Sequence, residues 1–76
     1  MKHTIASLQI GETGIIQEFD IDVVPLKLIE MGCLPGNKVE LVQHAPFHDP
    51  LYLNIDDSFV AIREETAVKI SITKVA

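Results

Sequence analysis

The stretch Gly32-Cys33-Leu34-Pro35-Gly36 constrains the fold of this 76-residue chain more than any other segment. The apolar run before it has helical spacing, and Gly32 is placed to adopt the left-handed conformation that closes a helix. Pro35 and Gly36 suit the second and third positions of a type II turn, in which the third residue has a positive φ. The sequence therefore predicts a short helix that ends at Gly32, followed by a sharp reversal of the chain.

The composition predicts one small domain, residues 1–76, with a β-rich core. Hydrophobic residues make up 47% of the chain but aromatic residues only 5%, so the core must consist mainly of Ile, Val and Leu, which favour strands. The only cysteine is Cys33, which excludes an internal disulfide and favours a reducing, cytoplasmic location. We expect Cys33 to be buried at the helix end as a small hydrophobic residue.

The charge of the chain argues against nucleic acid as a partner. Eleven acidic residues against six basic ones give a formal net charge of −5, which repels the phosphate backbone. No apolar run has the length of a signal peptide or of a membrane span, so we expect no direct insertion into a membrane. If the protein works at a membrane, the sequence predicts that it does so through a partner.

Alternating polar and apolar residues predict five strands. We place the strands at residues 15–22, 38–44, 51–55, 59–62 and 68–73, the one helix at 23–31 with Asp22 as its cap, a hairpin turn at 56–58 and a 3₁₀ turn at 63–67. The fold class predicted from these elements is mainly β: a small SH3-like antiparallel barrel of about five strands with one inserted short α-helix. A four-stranded sheet with the helix packed flat on one face is the alternative, which periodicity cannot exclude.

The first predicted strand would carry three carboxylates on one face. Glu18, Asp20 and Asp22 alternate with Phe19 and Ile21, so the carboxylates would lie about 7 Å apart along the strand. Such a face can bind a cation only if other ligands close the site. We therefore interpret it as a solvent-exposed outer face.

Three motifs, in this order along the chain, resemble the FeoA family. They are Gly32-Cys33-Leu34-Pro35-Gly36, then Ala45-Pro46 with Asp49-Pro50, then Phe59-Val60-Ala61-Ile62-Arg63, and the resemblance extends from about Leu8 to Ile72. It implies an SH3-like barrel with an inserted helix and a non-enzymatic, cytoplasmic accessory protein of bacterial ferrous iron transport. The implied partner is FeoB, a membrane iron permease with a cytosolic GTPase domain.

A metal-sensing module is the alternative function. The SH3-like domains at the C-termini of iron-dependent repressors are similar, but in those proteins they follow a DNA-binding helical domain and a dimerisation domain, which this sequence does not show. The sequence does not decide whether the chain self-associates through an unpaired edge strand of the barrel.

Neither a catalytic residue nor a cofactor-binding motif is evident. Cys33 has no histidine near it in the sequence. The segment Gly11-Glu12-Thr13-Gly14 is too short and too acidic to hold a nucleotide phosphate. We therefore expect neither enzymatic activity nor a bound cofactor.

His44, His48 and Asp49 form the one cluster of metal-ligand types. Imidazole and carboxylate groups suit ferrous iron, but Pro46 prevents the helical spacing that would aim both histidines at one point. We expect at most weak ferrous iron binding there, and Asp49 is expected to shape the turn into the next strand.

Three residues are the candidates for contact with a protein partner. Phe47 and Leu34 lie in proline-containing loops, where the alternating pattern of the core does not require them. Members of the FeoA family often carry arginines in the inserted helix, whereas this helix has Lys27 alone. We expect Phe47, Leu34 and Lys27 to contribute to docking.

Overall fold

The computed structural model describes residues 3–75, apart from the side chain of His48. Its six described strands form a single antiparallel sheet. Its strands are β1 (His3–Thr4), β2 (Thr13–Ile16), β3 (Lys38–His44), β4 (Leu51–Ile55), β5 (Ser58–Ile62) and β6 (Ser71–Val75). Two short α-helices, α1 (Leu26–Glu30) and α2 (Glu64–Ala67), and 3₁₀ turns at Ile5–Ser7, Ile21–Val23 and Pro46–His48 connect the strands.

The strand order within the described residues is β1-β6-β2-β3-β4-β5, which leaves β1 and β5 at the two edges. Every pairing is antiparallel. The predicted class, mainly β with an inserted short α-helix, is confirmed. The additional strand β1 was not predicted because two residues are too few to show an alternating pattern.

Aliphatic side chains fill the core, as the composition predicts. Val39 and Leu41 of β3 and alternate residues of β4 are buried, together with side chains from β2, β5 and β6. The largest fully buried side chains are those of Ile5, Ile16, Leu41, Leu51, Leu53, Ile55, Ile62 and Ile70. This packing supplies most of the stabilisation because each such side chain contributes about 1.5–3 kcal/mol on burial.

The predicted helix end is confirmed. The N–H of Cys33 donates to the carbonyl of Leu28 at 2.9 Å, and the N–H of Gly32 to that of Ile29 at 3.1 Å. These two bonds define a Schellman motif, in which the residue after the cap is left-handed, and Gly32 has φ +103. Cys33 is buried at the end of the helix, as predicted.

The turn that follows is also confirmed. The N–H of Asn37 donates to the carbonyl of Leu34 at 3.1 Å, and Gly36 has φ +93, as a type II turn requires. Gly36 also donates its N–H to the carbonyl of Ile16 at 2.7 Å, which ties the turn to the end of β2.

The prediction of a strand over residues 15–22 is wrong beyond Ile16. The carboxylate of Asp20 accepts the N–H of Asp22 at 2.9 Å and so starts the 3₁₀ turn Ile21–Val23. This local bond competes with a strand ladder, and it leaves Ile21 exposed instead of buried. No acidic strand face therefore forms from Glu18, Asp20 and Asp22.

The predicted helix over residues 23–31 is too long at its start. Val24 and Pro25 are extended, and α1 begins only at Leu26. A residue that precedes proline is disfavoured in the helical conformation, so the helix cannot extend back through Val24. Asp22 is consequently not the helix cap, although Val24 is buried.

Two boundaries near the C-terminus also differ from the prediction. Residues 63–67 were expected to form a 3₁₀ turn, but bonds from Ala67 to Arg63 and from Val68 to Glu64 make α2 an α-helical turn. Val68 lies exposed in the turn after α2, and the last strand therefore begins at Ser71 and not at Val68.

The β4–β5 connection is a tight hairpin turn, as predicted. Asp56 and Asp57 are its two turn residues and both have positive φ, +50 and +67, which suits the right-handed twist of the strands. Ser58 belongs to β5 and pairs with Ile55.

Candidate functional site

Phe47 projects from the β3–β4 loop (residues 45–50) into solvent. Its side chain is 97% exposed, the highest value among the large hydrophobic residues that the structure describes. The Phe47 backbone has φ +67 and ψ +18, a left-handed conformation that is uncommon for a residue other than glycine. The loop thus holds an aromatic ring away from the core at some cost in backbone energy.

Polar contacts fix both ends of the β3–β4 loop. The N–H of Ala45 donates to the carbonyl of Pro50 at 3.0 Å and closes the loop at its base. Asp49 accepts the N–H of Glu64 at 3.0 Å, and its other carboxylate oxygen lies 3.6 Å from the guanidinium of Arg63. Asp49 was expected to shape the turn. The structure gives it a second role, because these contacts tie the loop to the start of α2.

Leu34 lies in the helix-exit turn (residues 32–36) and is 42% exposed. The backbone around it is fixed, since its carbonyl accepts the N–H of Asn37 and the side-chain amide of Asn37 donates to the Gly32 carbonyl at 2.7 Å. Leu34 therefore presents part of its side chain to solvent from a rigid position.

Lys27 lines a groove between α1 and β5, which we call the α1–β5 groove. Its volume is about 300 Å³, and its lining residues are Lys27, Leu28, Met31, Phe59, Val60 and Ala61. Lys27 is the one charged residue among them. Of the three predicted contact residues only Lys27 lines this groove; neither Leu34 nor Phe47 contributes to it.

Sequence reasoning missed Phe59 as a candidate contact residue. Phe59 was assigned to a strand, but its side chain is 71% exposed beside the α1–β5 groove. The signal was present, because in β5 Val60 and Ile62 are the buried partners in the alternation and leave Phe59 on the outer face.

The predicted metal ligands are only partly described. His44 is half-buried at the end of β3, whereas the His48 side chain lies outside the described part of the chain. Asp49 is engaged with Glu64 and Arg63. Among the described residues no group of three or more His, Cys, Asp or Glu side chains is arranged to hold a metal ion. Weak iron binding at these residues stays a prediction.

Cys33 is poorly suited to chemistry. Its side chain is 1% exposed, and burial raises the pKa of the thiol to about 11. The thiol is therefore protonated at neutral pH and shielded from reagents, since only the thiolate is a good nucleophile.

In the described part of the chain, no helix is long and apolar enough to cross a membrane. The longer of the two α-helices, α1, has five residues.

A family model described as the FeoA domain matches residues 3–74. Among characterised proteins, this chain is 33% identical over 69 residues to a fusion of Fe(2+) transport protein A with the Fe(2+) transporter FeoB from Porphyromonas gingivalis. The match covers 90% of this chain and 8% of the fusion protein, so the chain spans a small part of that relative.

Solved structures show the same fold. The FeoA protein of Chlorobium tepidum superimposes with a TM-score of 0.88 at 21% identity, over 97% of this chain and 71% of that one. The zinc complex of Stenotrophomonas maltophilia FeoA, described as an SH3 domain protein, has a TM-score of 0.75 at 21% identity, over 92% and 88% of the two chains. The predicted SH3-like architecture is thereby confirmed.

A metal-dependent repressor also shares the fold. A manganese-dependent transcriptional repressor superimposes with a TM-score of 0.79 at 14% identity, over 97% of this chain and 42% of the repressor. At this identity the likeness extends to the fold alone.

Proposed function

Because this chain belongs to the FeoA family, we propose that it is a cytoplasmic accessory protein of bacterial ferrous iron transport that regulates a FeoB-type transporter by binding its cytosolic part. The observation that carries this proposal is the Porphyromonas gingivalis relative, in which a FeoA-like region and FeoB form one fusion protein. Fusion holds two regions at a high effective concentration, which favours even a weak contact between them.

The proposed mode of action is docking and not catalysis. We assign the docking contacts to two exposed apolar side chains in proline-containing segments: Phe47, the most exposed large hydrophobic residue described, and Leu34, which is 42% exposed. Their backbones are already held by hydrogen bonds, so docking costs little conformational entropy. A few such anchors usually supply most of the binding energy at an interface.

Lys27 is proposed as a polar contact at the same partner. It is an exposed cation on a chain whose formal net charge is −5. A carboxylate on the transporter would be attracted to Lys27 and repelled by the acidic residues elsewhere on the domain.

The alternative function, a metal-sensing module, rests on a likeness of fold to the manganese-dependent repressor. No described cluster of metal ligands adds to it. We therefore favour the transporter-binding function.

Calorimetric titration of the chain into the purified cytosolic domain of the FeoB-type transporter from the same genome tests the proposal. We expect a saturable complex with a Kd of about 1–100 μM, typical of a weak regulatory contact. Leu34→Ala and Lys27→Ala should each weaken it several-fold, whereas Lys69→Ala, an exposed lysine in the turn before β6, should not. Absence of binding at about 100 μM would remove the proposed function.

A further inference from the structure

β5 is an edge strand without the usual protection against strand pairing. In the described sheet its one neighbour is β4. Edge strands in soluble proteins commonly carry a charged residue or a proline that blocks further pairing, but Ser58–Ile62 contains neither. The opposite edge differs: β1 has two residues, and the N–H of Thr4 is taken by the Ser7 hydroxyl at 3.0 Å.

The register of β5 shows which of its backbone groups face outward. Ile55 and Ser58 flank the two-residue turn and form its bonded pair. Bonded and non-bonded pairs alternate along an antiparallel ladder, so Val60 and Ile62 also bond to β4. Phe59 and Ala61 must then direct their N–H and carbonyl groups away from β4.

The α1–β5 groove lies along this open edge. Its walls are Leu28 and Met31 on the helix side and Phe59 to Ala61 on the strand side, and Lys27 is its one charged lining residue. A groove between an edge strand and a helix is the arrangement in which an extended peptide can add to a sheet as a further strand.

We propose that an extended segment of the FeoB-type transporter binds in the α1–β5 groove by adding a strand to β5. This inference rests on the function proposed above. The backbone of the segment bonds to Phe59 and Ala61. Apolar side chains of the segment contact Leu28 and Met31, and a carboxylate of the segment pairs with Lys27.

Charge complementarity favours this occupant over a second copy of the chain. In a β5–β5 pair the strand entering the groove would be Ser58–Ile62, which itself has no acidic residue to place near Lys27; the nearest, Asp57, lies in the hairpin turn outside the strand. The entering strand would also carry β4, to which it is bonded, into the groove.

Amide hydrogen exchange, followed by NMR, tests the proposal without a mutation. In the free protein we expect the amides of Phe59 and Ala61 to exchange quickly and those of Val60 and Ile62 slowly. A saturating amount of the transporter's cytosolic domain should slow exchange at Phe59 and Ala61 by about tenfold or more. Val60 and Ile62, already bonded to β4, provide the internal control.

Two variants test the same contact by affinity. Ala61→Pro removes one outward N–H and should weaken binding about tenfold. Lys27→Glu does not change the backbone and therefore tests the contact even if the proline variant does not fold. It should weaken binding about tenfold, whereas the control Lys69→Glu should not.

The outcomes separate this inference from the proposed function. If the domain binds but Phe59 and Ala61 exchange as before and Lys27→Glu binds normally, strand addition is refuted while the transporter function stands. If these two amides are protected in the free protein and lose protection on dilution, a second copy occupies the edge and the proposal is overturned. If the domain does not bind at all, the proposed function fails and this inference fails with it.

Discussion

The helix-exit turn and the β3–β4 loop are built from similar parts but place their apolar residues differently. Each contains proline and at least one residue with positive φ. In the turn these residues are Gly32 and Gly36, the backbone bonds to β2 and Cys33 is buried. In the loop it is Phe47, whose ring is almost fully exposed.

The difference indicates what each segment contributes. A glycine in the left-handed region costs little, so the helix-exit turn serves the fold at low energy. A phenylalanine there costs about 1 kcal/mol or more, and the core gains nothing from a ring in solvent. We infer that the turn stabilises the domain and that the β3–β4 loop presents Phe47 to a partner.

Gly32→Val should have the largest effect on stability. A Cβ at this position would lie 3.3 Å from the Cβ of Asp56 in the hairpin turn, and φ is +103. Backbone strain and crowding together should lower the free energy of unfolding by about 2–4 kcal/mol. Chemical denaturation measures this value. A variant as stable as the wild type would show that the turn does not serve the fold as we infer.

Gly36→Val should cost less. A Cβ there meets no atom within 4 Å, so the strain of φ +93 is the main penalty. We expect a loss of about 1–2 kcal/mol by the same measurement. A larger loss than for Gly32→Val would mean that crowding against Asp56 is not important.

Asp49→Ala should have a still smaller effect, because both of its contacts lie near the surface. The change removes the bond from the Glu64 N–H and the ion pair with Arg63, and together these should contribute about 1 kcal/mol. Asp49→Asn is the matched control, since it keeps an acceptor for Glu64 and loses only the charge. Equal losses in the two variants would assign the whole effect to the ion pair.

Iron binding should not change when the histidines at the end of β3 and in the β3–β4 loop are removed. Anaerobic calorimetry with ferrous iron should give the same weak or absent binding for the wild type and for the double variant His44→Ala, His48→Ala. Micromolar or tighter binding that disappears in the double variant would assign the β3–β4 loop to a metal instead of a protein partner.

The regular parts of this fold could be predicted because local patterns determine them. β4 and β5 alternate cleanly and are joined by a two-residue turn, and the glycines of the helix-exit turn indicate its positive-φ positions. Between β2 and α1 the same approach failed. There, one side-chain bond at Asp20 and the restriction before Pro25 outweigh the alternating pattern.

The candidate site was less accessible to sequence reasoning. Phe47 could be predicted as exposed, because a loop with two prolines cannot pair as a strand and so does not direct Phe47 into the core. The α1–β5 groove could not be predicted, since Met31 and Phe59 are far apart in the sequence and only the tertiary fold brings them to one surface.

Phe47→Ala tests the central claim most directly when stability and binding are measured on the same purified variant. We predict a melting temperature within about a degree or two of the wild type, because an exposed ring contributes little to the core, and binding to the transporter's cytosolic domain weakened about tenfold or more. Ile10→Ala, which removes another exposed apolar side chain in the turn before β2, should change neither value. Two results would contradict the account. One is unaltered binding by Phe47→Ala; the other is a loss of stability of about 3–5 kcal/mol, which is typical of a buried phenylalanine.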